Sequence, residues 1–333
     1  MSRANVALSD QAGELRRIVE QHKRKGKNTG NLKTFTVLSG KGGVGKSNFS
    51  VSLACAMADQ GRKIVLLDAD LGLANLDMLW GVTAKYKLSH LINGSKGLNE
   101  VLLPLEDNVW MLPGGTGLRE LADMEEGRLV ELIDNLGVLE DRADVLIVDT
   151  GAGIHKNVLT FAAAADTVIL MTTPEPTAIR DAYGVLKALK NLSGNSQEIS
   201  EESNYKNSAE SGLKSCEFKS IEKRDIVCVV NMANSEREGL EVANRIKMAA
   251  SQFLGITVNY IGCVLKDPFV EQAVRIRKPF CRLFPDSPAA ACVKLMAETL
   301  LPGDLPGKIA DIKQPKGLKA FFYRLARGYF SGR

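Results

Sequence analysis

No run of apolar residues in the sequence is long enough to cross a bilayer, which excludes a chain that spans the membrane on helices. The N-terminus lacks the apolar core of a secretion signal, so a cytoplasmic chain is expected. The six cysteines, Cys55, Cys216, Cys228, Cys263, Cys281 and Cys292, form no C-x-x-C pair, and most sit in apolar runs. That argues against metal ligation or a disulfide framework and for reduced core residues. The three histidines, His22, His90 and His155, are too far apart in sequence to suggest a metal-ligand set. No internal repeat is visible. A large charge of one sign is also missing. The net +4 is small, and basic residues crowd both ends, Arg16 to Lys27 and Lys313 to Arg333, so the body between is net acidic. Such a distribution argues against coating DNA with the whole surface and for tails that touch anionic partners.

What is present is an alternation of short β-branched runs with helical stretches. Strands are predicted near Phe35–Ser39, Lys63–Asp68, Val109–Leu112, Val145–Asp149, Thr167–Thr172, Asp225–Asn231 and Val258–Val264. Most are continuously apolar, as in strands covered on both faces. Alternating strands and helices imply an α/β fold of three layers, with a mainly parallel central sheet flanked by helices. Ligands bind such sheets beyond the carboxyl ends of the strands. Asp68, Asp149 and Asn231 stand at such ends.

Gly40-Lys41-Gly42-Gly43-Val44-Gly45-Lys46-Ser47 fits the phosphate-binding pattern G-x-x-x-x-G-K-[S/T]. An apolar run precedes it and a helical run, Asn48 to Asp59, follows. Glycines let the backbone turn inward, and the new helix aims its positive end at the same point. A triphosphate suits the loop, with Lys46 against its β- and γ-phosphates and Ser47 on Mg²⁺. Lys41, read on chemistry alone, is equally an ordinary surface lysine.

Acids beside a phosphate loop repel the nucleotide unless a metal or a water intervenes. Asp68 and Asp149 are therefore expected in the shell of Mg²⁺, and Asp70 is placed to orient an attacking water. A solvated loop acid is the alternative for Asp70. Gly151, after Asp149, allows a backbone N–H to approach the γ-phosphate. The amide of Asn231 can read adenine, since it both donates and accepts, or can simply form a turn.

Together these motifs resemble the deviant-Walker-A ATPases, the group of MinD and ParA, from about Leu32 to Leu300. The second lysine, Lys41, is the mark of that group. The resemblance implies a homodimer when ATP is bound, with Lys41 reaching the partner's nucleotide and hydrolysis depending on dimerisation. Within the group the sequence is similar to the FlhG (YlxH, FleN) family, which controls flagellar number and placement. Asp70 to Asp77, Asp149-Thr150-Gly151-Ala152-Gly153-Ile154 and Val230 to Glu236 carry that similarity. So do Asp267-Pro268-Phe269-Val270 and Lys278-Pro279-Phe280. A Min-type division regulator, or a ParA-like partitioning ATPase, is the alternative.

The resemblance also covers an N-terminal arm, residues 1–31. Asp10-Gln11-Ala12-Gly13-Glu14-Leu15-Arg16 matches the D-Q-A-x-x-L-R element with which FlhG proteins activate FlhF, a signal-recognition-type GTPase. Asp10, Gln11, Ala12, Leu15 and Arg16 are the partner-activating set, and Gln11 is expected to help position water in the partner's site. Physically the element reads as a short helix capped by Ser9, with one apolar stripe. Flagellar switch-complex proteins or a transcription regulator are further candidate partners.

The ATPase domain is expected over residues 32–302. Residues 191–223, rich in Ser, Glu, Asn and Lys, read as a mobile insertion. Residues 303–316 read as a linker. In the last segment, residues 317–333, Leu318, Phe321, Phe322, Leu325 and Tyr329 share one helical face, with Lys319, Arg324 and Arg327 on the flanks and the opposite face. A basic amphipathic helix of this kind is an interfacial anchor for the anionic inner face of the cell membrane. Docking on its own domain is the alternative.

Overall fold

The computed structural model describes residues 32–70, 75–115, 132, 136–202, 225–301, 321, 322, 324 and 325. Eight strands form one sheet: β1 (Lys33–Leu38), β2 (Ile64–Ala69), β3 (Leu103–Glu106), β4 (Val109–Pro113), β5 (Val145–Thr150), β6 (Thr167–Thr172), β7 (Asp225–Ala233) and β8 (Asn259–Leu265). Their order across the sheet is β3-β4-β2-β5-β1-β6-β7-β8. Every neighbouring pair is parallel except β3 with β4. β1 lies between β5 and β6, so successive connections leave it in opposite directions. This opens a crevice at its carboxyl end.

The helices are α1 (Lys46–Asp59), α2 (Leu76–Trp80), α3 (Leu88–Ile92), α4 (Leu98–Val101), α5 (Lys156–Ala164), α6 (Pro176–Glu202), α7 (Glu236–Ala249), α8 (Pro268–Ile276), α9 (Phe280–Leu283) and α10 (Pro288–Leu300). Alternate residues of each strand feed opposite faces. Phe35, Val37, Leu66, Ile147 and Met171 pack with Leu53 and Met57 of α1 and Val293 of α10. On the other face, Leu170, Cys228 and Val230 meet Val185 and Leu189 of α6 and Val242 of α7. Layers on both faces explain why the strands read as unbroken apolar runs.

Three features go beyond the sequence reading. The antiparallel edge strand β3 was not foreseen. It is short, and Pro104 within it is a residue tolerated only where no ladder partner is required. α6 continues past Asn191 to Glu202, into the segment read as an insertion. Its turns at Ala182, Val185, Leu186 and Leu189 are already packed, and extending a formed helix costs far less than starting one. Residues 203–223 lie outside the described residues.

The third concerns the segment read as a membrane face, for which docking on its own domain was the alternative. Phe321, Phe322 and Leu325 are buried against Leu146 and Val148 of β5 and Phe161 of α5. Phe321 stacks on Phe161 with ring centroids 6.3 Å apart. Arg324 is buried too, and its Nη2 donates to Asp166 Oδ1 at 3.2 Å. An apolar stripe suits an uncovered sheet face as well as it suits lipid, and here the domain's own sheet receives it. Leu318, Lys319, Arg327 and Tyr329, the linker 303–316 and the arm with Asp10, Gln11, Ala12, Leu15 and Arg16 lie outside the described residues.

Candidate functional site

β1 delivers the chain into the phosphate loop, and α1 leaves it. Gly43 (φ 77°) and Gly45 (φ 90°) adopt the left-handed conformation that an L side chain rarely takes. At Gly45 there is also no room, since a Cβ would stand 2.3 Å from Asn231 Nδ2. Gly45 offers no side chain to the first amides of α1, so the helix start is left for an anion. Gly42 faces the neighbouring loop, where an added Cβ would lie 4.0 Å from the Ala152 methyl.

Lys46 is buried, and its Nζ donates to Ser39 Oγ at 3.0 Å. Burial pulls its pKa down, against the attraction of Asp149 and then Asp70. Asp149 ends β5 beneath the loop. Its Oδ2 accepts from Ser47 Oγ at 2.7 Å and its Oδ1 from Ser50 Oγ at 2.9 Å. Burial raises Asp149 to about 6, with the two serine hydroxyls and Lys46 opposing. Asp70 leans on Gly151, where a Cβ would stand 3.3 Å from Asp70 Oδ1. The Gly153 N–H donates to the Ser39 carbonyl at 2.9 Å, tying the two loops together.

Two predicted site residues make contacts that the sequence did not show. The Asp68 carboxylate accepts backbone N–H groups from Asp70 (3.3 Å), Asn75 (3.1 Å) and Leu76 (3.3 Å). It therefore ties Asp70 to Asn75 and Leu76. Burial, and next Asp149, push it up to about 7. Asn231 Nδ2 donates to the Val44 carbonyl at 2.8 Å, and its Oδ1 accepts from Met232 N at 2.9 Å. It buttresses the phosphate loop.

Lys41 turns away from the loop it belongs to. Its Nζ pairs with Glu175 and donates to Thr177 Oγ1 at 3.3 Å, at the start of α6. Sequence reasoning missed Glu175, Thr177, Ser39 and Ser50. Only Ser50 had a readable signal, standing three residues after Ser47 on the same face of α1.

Ser47 Oγ and the Asp149 carboxylate are hard oxygen donors suited to Mg²⁺. Among the described residues no group of three or more His, Cys, Asp or Glu side chains could hold a metal.

The family model described as an AAA domain matches residues 32–201. "Antiactivator FleN" of Pseudomonas aeruginosa is 34% identical over 87% of this chain and 92% of its own. "Flagellum site-determining protein YlxH" of Helicobacter pylori is 32% identical over 90% of this chain and 92% of its own. The chain belongs to the FlhG family of MinD/ParA-like ATPases.

The fold agrees with that membership. The cell division ATPase MinD of Pyrococcus furiosus superposes with a TM-score of 0.59 at 21% identity, covering 81% of this chain and 98% of its own. MinD of Pyrococcus horikoshii, solved with Mg-ADP, gives 0.58 at 21% identity, covering 84% and 100%. Among the described residues no helix is long and apolar enough to cross a membrane.

Proposed function

We propose that this FlhG-family chain is an ATP-driven switch for flagellar number or placement. The observation that carries the reading is the pair of lysines in one phosphate loop, Lys46 folded into it and Lys41 held outside it by Glu175. Lys46 exchanges Ser39 for the β- and γ-phosphates of ATP. Mg²⁺, held by Ser47 and Asp149, would supply neutralising charge to the phosphate oxygens. Asp70 accepts a proton from the attacking water, and the backbone at Gly151 senses the γ-phosphate. Lys41 leaves Glu175 for the nucleotide of a second copy, which couples hydrolysis to dimerisation.

The relatives' names, an antiactivator and a flagellum site-determining protein, support the flagellar assignment. In this reading Asp10, Gln11, Ala12, Leu15 and Arg16 of the arm stimulate an FlhF-type GTPase. The last segment anchors the dimer to anionic membrane. Its buried side chains each hold it to the domain by roughly 1.5–3 kcal/mol, so lipid must outcompete that docking. Two anchors on one dimer bind far better than one.

The test is turnover together with mass in solution, with and without ATP. Asp70→Ala is expected to dimerise with ATP while hydrolysing it about 10²- to 10⁴-fold more slowly. Lys41→Ala is expected to lose both. A wild-type protein that stays monomeric in every nucleotide state sinks the reading.

A further inference from the structure

The loops that lead into α3 and α4 meet at one tyrosine. Tyr86, just ahead of α3, has two ammonium groups over its ring, Lys85 Nζ at 5.2 Å and Lys96 Nζ at 4.6 Å from the centroid. The His90 imidazole meets the same ring edge-on with centroids 5.5 Å apart, and its Nδ1 accepts from Lys87 N at 3.1 Å. Lys96 also pairs with Glu100 Oε1 at 2.7 Å, the one carboxylate among these contacts. The Lys87 stem runs past the backbone of Gly115, beyond the end of β4, where an added Cβ would stand 3.2 Å from its Cδ. Lys85 and Lys87 are exposed.

The inner side of the same stretch is apolar. Tyr86 packs against the cluster that holds Leu88 and Leu91 of α3, Val101 of α4, and Leu146 and Val148 of β5. Phe321, Phe322 and Leu325 of the last segment belong to that cluster too. The lysines and the docked segment therefore cover the same face of the sheet.

We propose that Lys85, Tyr86, Lys87 and Lys96 form a second contact with the anionic membrane, on the face from which the last segment is released. This contact rests on the membrane reading of that segment. Two features favour a bilayer over a protein partner. A tyrosine flanked by ammonium groups suits the membrane–water boundary, where the ring lies among headgroups and long lysine stems reach the phosphates. The patch also stands on the apolar cluster that the last segment leaves, so one approach to the bilayer brings both. A short amphipathic segment that must first give up its own docking is a weak anchor. A basic patch beside it is the second signal that stable peripheral attachment requires. Each lysine brought close to an anionic surface strengthens binding roughly fivefold.

The test is sedimentation of the full-length protein, with ATP and Mg²⁺, on mixed phosphatidylcholine–phosphatidylglycerol vesicles and on phosphatidylcholine alone. The double variant Lys85→Gln, Lys87→Gln is expected to need roughly 25-fold more mixed lipid for half-binding, from two contributions of about fivefold. It is expected to keep the wild-type melting temperature and nucleotide affinity, and to differ less from wild type as salt is raised. Lys85→Arg with Lys87→Arg keeps both charges and is expected to bind as wild type does. Half-binding of the glutamine variant within twofold of wild type would leave these lysines as a solvated face. The proposal would then fall while the membrane reading of the last segment stands. A variant that loses polyglutamate but keeps lipid would give the patch to an acidic protein, and one that melts earlier would give the lysines an acidic partner inside the fold. Either result overturns the proposal. Wild type that ignores the mixed vesicles altogether sinks both readings.

Discussion

Replacing Asp166 by Asn tests how the C-terminal segment is held without altering that segment. Asp166 precedes β6 and has two jobs. Its Oδ2 accepts from Thr34 N at 3.1 Å and Thr34 Oγ1 at 2.7 Å, and its Oδ1 faces Arg324. An Asn can keep its oxygen on Thr34 and present its NH₂ to the guanidinium, so the packing survives and the ion pair does not. The Arg324 side chain is 9% exposed and that of Asp166 26%, so the arginine is left as a nearly buried charge without a partner. Breaking one side of a fully buried pair costs about 3–5 kcal/mol, and the partial exposure of Asp166 brings this to about 2–3 kcal/mol. At tenfold per 1.4 kcal/mol, the undocked population rises roughly 30- to 140-fold. Amide exchange reads this directly, because residues 321–325 exchange in proportion to how often the segment opens. The variant is expected to exchange faster there by that factor, with β5 unchanged, and to pellet with anionic vesicles at lower lipid than wild type. Exchange within twofold of wild type would refute the argument that this ion pair holds the segment down.

Three further outcomes are expected. Asp68 is raised in the fold to about 7 from an ordinary 3.8, so it favours the folded state while protonated. That contribution, up to roughly 4 kcal/mol, is full below about pH 4 and is lost as pH rises through about 7. Nucleotide-free wild type should therefore lose melting temperature relative to Asp68→Asn between pH 5 and 8, and parallel curves would contradict this. Asn231→Ala removes one brace of the phosphate loop, about 0.5–1.5 kcal/mol, and should weaken ADP and GDP alike by roughly 2- to 10-fold. A loss confined to ADP in a binding titration would return Asn231 to reading adenine. Glu175→Gln frees Lys41 from a half-exposed pair worth under about 1 kcal/mol, so ATP-dependent dimerisation should rise by less than about fivefold. A fall measured by light scattering would show that Glu175 helps Lys41 rather than restrains it.

The parts of this protein that rest on local pattern were legible in the chain. Seven of the strands announce themselves as apolar runs because both faces of the sheet are covered. The phosphate loop is equally local, since strand, glycines, Lys46-Ser47 and helix are contiguous and their geometry follows from backbone sterics. Asp149 was readable for the same reason, as the acid that ends an apolar strand. The parts that rest on pairing distant segments were not legible. An amphipathic stripe says that Phe321, Phe322 and Leu325 want an apolar surface and is silent on whether lipid or β5 supplies it. Only the tertiary structure places Asp166 opposite Arg324, 158 positions away. It likewise sets Glu175 against Lys41 and Asn231 against Val44. Periodicity and motif describe what a segment can do alone, whereas a partner across the fold is chosen by which surfaces remain uncovered once the sheet has closed.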